Sequence, residues 1–223
     1  MKDVVCVIPA LNAAATLPAV LAGVRGALPG ALLVGVDDGS RDATGDVLRE
    51  RCDVVEVFTE NVGKGAALRA GFARALAIGA RRVLSLDADG QHDPEYAPRL
   101  IAALERADIA VGERIRAGSA MPLRRRVSNA LSTAAISAVA GRALPDTQCG
   151  FRAIRREVLE TVTGVGDRYE FETDFIIRAA RRGYSIVAVP VPTIYGAKSH
   201  FRECRDAARV IATIWRHRSG TAH

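Results

Sequence analysis

Two carboxylates stand one residue apart at positions 87–92, which read Asp-Ala-Asp-Gly-Gln-His. The preceding run at 83–86 is apolar and predicts a buried strand, so Asp87 and Asp89 would meet at a strand end and repel each other. A divalent cation relieves such repulsion, and hard oxygen ligands suit Mg²⁺ or Mn²⁺. The segment therefore predicts a metal site able to neutralise a departing diphosphate, with a pair of solvated loop acids or a helix cap as the structural alternative.

A second acidic pair, Asp37 and Asp38, closes the apolar run at residues 32–36. One carboxylate could accept a hydrogen bond from a base N–H and the other from a ribose hydroxyl. The same segment could form a turn whose glycine takes a positive φ, with Ser40 or Asp42 capping the next helix. Both interpretations stay open, and they can hold together.

A third segment, residues 61–65, reads Asn-Val-Gly-Lys-Gly and opens a predicted helix at 65–78. Its glycines and Lys64 suggest contact with phosphate. The spacing is neither that of a P-loop nor that of a GxGxxG dinucleotide-binding turn. Direct ligand contact by Lys64 and a plain strand-to-helix turn are the two interpretations.

Alternating short strands and helices must position these segments. The predicted strands cover residues 4–8, 32–36, 54–58, 83–86 and 109–111, and helices at 16–25, 42–51 and 65–78 lie between them. Thr16 is the predicted cap of the first helix, and Asp93 caps a fourth that has Pro94 at its first position. The alternation predicts an α/β fold with a Rossmann-like, doubly wound, mostly parallel sheet that binds ligands at the carboxyl ends of its strands.

The sequence changes in character after about residue 113, where the regular alternation ends. Residues 114–126 are rich in Arg and Gly and predict a mobile loop. Further predicted elements are a helix at 127–140, a strand or turn beginning at 149–151, a helix at 172–182, a strand at 186–189 and an amphipathic basic helix at 202–218. We expect a single domain with a nucleotide-binding half at 1–112 and an acceptor-facing half at 113–223.

Composition bounds the class of protein. The chain has 223 residues, 49% of them apolar, and a formal net charge of +6. It contains no apolar run of about 18 residues and no signal-peptide pattern at its start, so a cytoplasmic location is expected. Four widely spaced cysteines indicate reduced thiols. The positive charge suits phosphorylated substrates or an anionic membrane, and no nucleic-acid-binding pattern is present, so no nucleic-acid partner is expected.

Four segments together resemble family 2 glycosyltransferases of the GT-A fold, in the order seen in that family. They look most like the dolichyl-phosphate mannosyltransferase and bacterial undecaprenyl-phosphate sugar transferase branch, and the likeness covers nearly the whole chain. The segments are Pro9-Ala10-Leu11-Asn12, Asp37-Asp38-Gly39-Ser40, Asn61-Val62-Gly63-Lys64-Gly65 and Asp87-Ala88-Asp89-Gly90-Gln91-His92. Leu11 and Ala13 depart from the family, which commonly has Tyr and Glu at those places.

The resemblance implies roles for individual residues. The metal ligands would be Asp87, Asp89 and Gln91. The residues lining the nucleotide-sugar would be Pro9, Asn12, Asp37, Asp38, Lys64, Ala88 and Lys198. Lys198 is included among these residues because the family's Arg near the end of the chain is missing here. Lys198 or His200 would then contact the diphosphate.

The acceptor half carries basic residues at the branch's spacing. Arg114, Arg124 and Ser128 match the positions that hold the acceptor phosphate in the family, and guanidinium groups suit phosphate oxygens. A solvated or membrane-facing basic loop is the alternative for these arginines. Asp146 and Glu172 could bind sugar hydroxyls, orient nearby arginines or serve as buried structural partners.

The implied reaction is an inverting, metal-dependent transfer of a hexose from a GDP-mannose-type or UDP-glucose-type donor to a polyprenyl phosphate. Asp89, Arg114 and Arg124 would carry the catalysis. A largely dianionic phosphate needs no protein base to attack the sugar. The alternatives are a soluble transferase with a hydroxyl acceptor, for which Asp146 or Glu172 could be the base, and a non-catalytic nucleotide-sugar-binding module.

Two apolar stripes bear on where the protein acts. The helix after Arg126 and the tail beyond residue 202 both combine apolar side chains with arginines. They could lie peripherally on the inner face of the membrane. Packing on the core, or on a second subunit in a homo-oligomer, is the other interpretation.

Overall fold

A seven-stranded sheet runs through the computed structural model, which describes residues 3–114, 123–147, 149–192 and 211–217. The strands are β1 (Val4–Ala10), β2 (Leu32–Asp37), β3 (Val54–Val57), β4 (Arg82–Ser85), β5 (Ile109–Arg114), β6 (Arg152–Arg155) and β7 (Ile186–Val191). Their order across the sheet is β3-β2-β1-β4-β6-β5-β7. All neighbouring pairs are parallel except those made by β6, which runs antiparallel to β4 and β5.

Helices cover both faces of this sheet. They are α1 (Leu17–Ala27), α2 (Thr44–Arg51), α3 (Lys64–Ile78), α4 (Ala97–Ala103), α5 (Leu123–Ala140), α6 (Arg156–Thr161) and α7 (Glu170–Arg181), and residues 211–217 are also helical. Neighbouring residues of a strand point to opposite faces. On β2, an added Cβ at Gly35 would meet Leu48 of α2, whereas Val36 lies close to Gly71 of α3. The sheet is therefore sandwiched between helices, as the α/β prediction requires.

The strand predictions hold for the first half of the chain, with differences of one to three residues at their ends. β1 extends through Pro9 to Ala10 rather than ending at Ile8, and β1 is buried over almost its whole length. Because β6 is antiparallel, it begins at the edge where β4 and β5 end. That edge is where the polar segments collect.

Two sequence predictions need correction, and one short helix lies outside the predicted elements. The predicted loop at 114–126 is wrong at its end, because α5 begins at Leu123 and includes Arg124. Residues 123–140 contain neither Gly nor Pro, and arginine is a good helix former. Thr16 does not cap α1 with its side chain, since its hydroxyl donates to the carbonyl of Ala88 instead at 2.6 Å. The short helix α6 was not predicted.

Other predictions are confirmed or lie partly outside the description. Asp93 accepts a hydrogen bond from the Glu95 amide at 3.0 Å and starts a short 3₁₀ turn, Pro94–Tyr96, ahead of α4. The predicted tail helix at 202–218 is described only at 211–217, where the chain is helical. In the part of the chain that the structure describes, no helix is long and apolar enough to span a bilayer.

Candidate active site

The two acids of the central motif lie just beyond the end of β4 and have different surroundings. Asp87 places Oδ1 at 2.7 Å from the Nζ of Lys64, and Oδ2 faces Gly150, where an added Cβ would come within 2.4 Å. Asp89 accepts a hydrogen bond from the Gln91 amide at 3.0 Å. One carboxylate of the pair is thus held in an ion pair, while the other is held by its own loop.

Lys64 joins the central motif to the far half of the chain. It is the first residue of α3, and its ammonium also lies 2.9 Å from Oε2 of Glu172, in the first turn of α7. Burial by itself lowers the pKa of Lys64, but the carboxylates of Asp87 and Glu172 outweigh burial and raise this pKa. Lys64 therefore stays protonated.

The two acids respond oppositely to this environment. Burial by itself raises the pKa of Asp87, but the Lys64 ammonium outweighs burial and lowers it. Burial raises the pKa of Asp89, and the neighbouring negative charge of Asp87 adds to that increase. The ionised form of Asp89 is therefore the one that its surroundings disfavour, and a bound cation would stabilise it.

These oxygen ligands fit a divalent metal that is coordinated partly by the protein and partly by a bound substrate. Among the described residues, no cluster of three His, Cys, Asp or Glu side chains is poised to hold an ion. Mg²⁺ usually binds through one or two carboxylates together with substrate phosphates. Asp87 and Asp89, with the side-chain oxygen of Gln91 in the same loop, match that pattern.

Asp37 and Asp38 are both buried and organise the loops around the predicted nucleotide site. Asp38 accepts hydrogen bonds from the Val62 amide at 2.9 Å and the Gly63 amide at 3.0 Å, so it fixes the turn that leads into Lys64. Burial raises the pKa of Asp38, although those two amides act in the opposite direction. Asp37 accepts from the Ser40 amide at 2.9 Å. The turn interpretation is confirmed at Gly39, whose φ is 70°, but neither Ser40 nor Asp42 is the N-cap of α2, which is Ala43 and has no side-chain cap. Contact of Asp37 and Asp38 with a nucleotide stays a prediction.

The first segment forms the neighbouring wall. Pro9 is buried inside β1. Asn12 follows the strand with a φ of 47°, and its side-chain oxygen accepts from the Arg41 amide at 2.8 Å. Ala13, which departs from the family pattern, is buried and donates its amide to the hydroxyl of Thr44 at 2.8 Å. These residues brace the loop after β2 at the edge where β4 ends.

On the acceptor side, Arg114 ends β5 and forms a two-pronged ion pair with Asp146. The guanidinium Nε and Nη2 lie 2.5 and 2.9 Å from the two carboxylate oxygens. Asp146 thus orients an arginine, one of the roles considered for it. The side chains of Arg124 and Ser128 on α5, and the whole of Lys198, lie outside the described residues, so their predicted contacts stay predictions.

The sequence did not single out two buried side chains beside the motif. Arg152 donates hydrogen bonds to the carbonyls of Cys149 and Thr147, and lies 3.9 Å from the Glu172 carboxylate. His92 is buried with Nε2 at 3.6 Å from the Cys149 sulfur, and burial lowers the pKa of His92. His92 stands within the segment 87–92 quoted for the resemblance, which was the only signal for it.

Comparisons with known proteins agree with the motifs. The model of the family described as "Glycosyl transferase family 2" matches residues 5–163. The chain is 36% identical to polyprenol monophosphomannose synthase of Mycolicibacterium smegmatis, over 83% of this chain and 75% of that protein. It is 34% identical to undecaprenyl-phosphate mannosyltransferase of Micrococcus luteus, over 84% of this chain and 82% of that protein.

A solved structure shares the fold at low identity. It is glucosyl-3-phosphoglycerate synthase from Mycobacterium tuberculosis, crystallised with Mn²⁺, uridine diphosphate and glucosyl-3-phosphoglycerate. The TM-score is 0.76 at 20% identity, with 97% of this chain and 80% of that chain covered. This likeness concerns the arrangement of the sheet and its helices.

Proposed function

The chain belongs to glycosyl transferase family 2 and has the GT-A fold, and we propose that it moves a hexose from a nucleotide-sugar onto a polyprenyl phosphate. The donor would be of the GDP-mannose or UDP-glucose type. The relatives at 36% and 34% identity are named for transfer to polyprenyl lipids, which supports this class of acceptor.

The observation that carries the proposal is the pair of acids beyond β4. Asp87 and Asp89 stand at the carboxyl edge of the sheet, where doubly wound folds bind their ligands. A divalent ion bound by these acids and Gln91, Mg²⁺ or Mn²⁺, would stabilise the charge that develops on the departing diphosphate. The solved neighbour's complex with Mn²⁺ and uridine diphosphate is in keeping with that assignment.

The donor's nucleotide would lie along the neighbouring strand ends. We assign this wall to Pro9, Asn12, Asp37, Asp38 and Ala88, with Lys64 near the diphosphate. The turns held by Asp38 and Asn12 support the assignment, because they fix backbone groups around the space next to Asp87. Lys198 is assigned to the diphosphate from its sequence position.

The acceptor phosphate would be held by Arg114, with Arg124 and Ser128 beside it. Asp146 fixes the guanidinium of Arg114 at the end of β5, two strands from the end of β4. An oriented guanidinium suits phosphate oxygens. Because the second pKa of a phosphate monoester is about 6, the acceptor attacks as a dianion and the inverting step needs no protein base.

A polyprenyl chain resides in a membrane, so we also propose that the protein works peripherally at a membrane surface. Leu131 on α5 and Ile211 and Trp215 in the segment 211–217 are 67%, 60% and 68% exposed. Neither α5 nor this segment contains Asp or Glu. An apolar surface without carboxylates is compatible with anionic lipid.

The test is transfer from a panel of radiolabelled GDP- and UDP-sugars to short-chain polyprenyl phosphate in detergent, with Mn²⁺ or Mg²⁺. We expect metal-dependent labelling of the lipid with one donor and none with an Asp89→Ala variant. Binding of a nucleotide-sugar without lipid labelling would contradict the proposed acceptor. That outcome would favour a hydroxyl acceptor and make Asp146 and Glu172 the bases to test.

A further inference from the structure

Lys64 occupies an unusual place for a residue expected to contact only the donor. Its ammonium bridges two carboxylates from distant parts of the chain, Asp87 at 2.7 Å and Glu172 at 2.9 Å. The side chains of all three residues are less than one quarter exposed. Charges in such a setting interact more strongly than on the surface, because little water screens them.

The Glu172 side of this bridge is held independently of the metal site. Arg152 lies 3.9 Å from the Glu172 carboxylate and donates to the Glu172 carbonyl at 3.3 Å. The Tyr169 ring centroid lies 5.7 Å from the Lys64 ammonium. Glu172 therefore has a fixed position from which it competes with Asp87 for the charge of Lys64.

A divalent ion that approaches Asp87 and Asp89 meets this internal cation. The ammonium already balances part of the charge of Asp87, so it repels the ion and weakens its binding. Glu172 has the opposite effect, because its negative charge offsets part of the ammonium's. The two side chains should therefore change metal affinity in opposite directions.

We propose that Lys64 is a built-in counter-cation that limits how tightly the Asp87–Asp89 site binds a divalent metal, and that Glu172 moderates this effect. Both are positioning residues with respect to the metal. The inference rests on the proposed function, since it takes the two acids as the metal site. Firm metal binding then depends on the donor, whose diphosphate oxygens supply the missing ligands and charge.

The experiment is titration of the full chain with Mn²⁺ alone, without donor or acceptor, read by calorimetry or by the electron paramagnetic resonance of free Mn²⁺. We expect Lys64→Met to bind Mn²⁺ tighter by about tenfold, because a repelling charge is removed. Glu172→Gln should bind it more weakly, by about threefold. The double variant should bind Mn²⁺ about threefold tighter than the wild type, since the two changes partly offset each other.

A matched variant separates local from global charge. Arg25→Met also removes one positive charge, but Arg25 pairs with Asp53 near the end of α1, away from the acids beyond β4. We expect its Mn²⁺ affinity to equal that of the wild type. Circular dichroism melts show whether each variant folds, because a buried charge left without its partner is destabilising.

The outcomes decide the inference separately from the proposed reaction. Unchanged or weaker Mn²⁺ binding by a folded Lys64→Met chain overturns it, and so does the absence of Mn²⁺ binding by both the wild-type and the Lys64→Met chains. If Lys64→Met does not fold, Glu172→Gln decides, and unchanged or tighter binding by that variant overturns the inference. Failure of lipid labelling, by contrast, bears on the acceptor and leaves these affinities unaffected.

Discussion

The proposed donor half, residues 1–112, and the proposed acceptor half, residues 113–223, arrange their charges in opposite ways. At the end of β4, two acids form an anionic centre whose charge is partly neutralised by one lysine from α3. At the end of β5, a basic residue, Arg114, is held by one acid, Asp146, from the loop after α5. In each half the functional charge extends from a strand, and its partner comes from elsewhere in the chain. A strand end thus fixes the position, and a distant partner fixes the orientation.

The largest expected effect comes from removing the anionic centre of the donor half. Asp89→Ala should lower the rate of sugar transfer by about 100-fold or more, because charge developing on the diphosphate loses its stabilisation. The measurement is kcat with saturating donor and Mn²⁺.

Asp93 provides a nearby control for that loss. Its side chain caps the turn after the motif. Asp93→Ala should cost about 1 kcal/mol of unfolding free energy and leave kcat within about twofold of the wild type. Equal losses of activity in the two variants would mean that the loop's shape, rather than the Asp89 charge, governs transfer.

The next largest effect distinguishes binding of the acceptor from binding of the donor. Arg114→Ala should lower kcat/KM for the lipid phosphate by about 10- to 100-fold and leave the KM for the nucleotide-sugar unchanged. Asp146→Asn keeps the guanidinium but loosens its orientation, so we expect a loss of about threefold to tenfold on the same parameter. A rise in donor KM for either variant would contradict the division of the site into two halves.

Strand ends explain why much of the donor half could be predicted. Parallel strands bring their carboxyl ends to one edge, so Asp37, Asp38 and Asp87 could be placed together from their positions after apolar runs. Their hydrogen-bond partners could not be placed in this way. Asp38 holds the turn at 61–63 through backbone amides, and the sequence carries no specific sign of that contact.

Contacts between the halves explain what the sequence missed. Lys64 meets Glu172 only because α3 and α7 begin near the same edge of the sheet, and neither helix's own periodicity reveals this. The antiparallel direction of β6, which places Gly150 against Asp87, is also a property of the whole sheet. Local preference favours Thr16 as a helix cap, but in the fold its hydroxyl donates to the carbonyl of Ala88 instead.

Gly150 offers a sharper test of this contact between halves. It belongs to the acceptor half, yet a Cβ there would lie 2.4 Å from Oδ2 of Asp87. Gly150→Ala should displace that carboxylate and weaken both Mn²⁺ binding and transfer by about tenfold, an effect of roughly 1.4 kcal/mol. Gly26→Ala on α1 is the control, because a Cβ there meets nothing within 4 Å. An effect of the same size at Gly26 would argue against a specific contact.

The smallest expected effect concerns the surface on which the acceptor half would meet the membrane. Trp215 is the only tryptophan in the chain and is 68% exposed, so fluorescence excited selectively at tryptophan reports on this surface alone. Vesicles containing phosphatidylglycerol should shift its emission to shorter wavelength, and added salt should reduce the shift. Ile211→Asp should weaken vesicle binding by a factor of about three to ten. Val57→Asp, on the edge strand β3 and also exposed, should bind as the wild type does. An emission shift that depends on protein concentration rather than on lipid would instead assign this surface to contact between two copies of the chain.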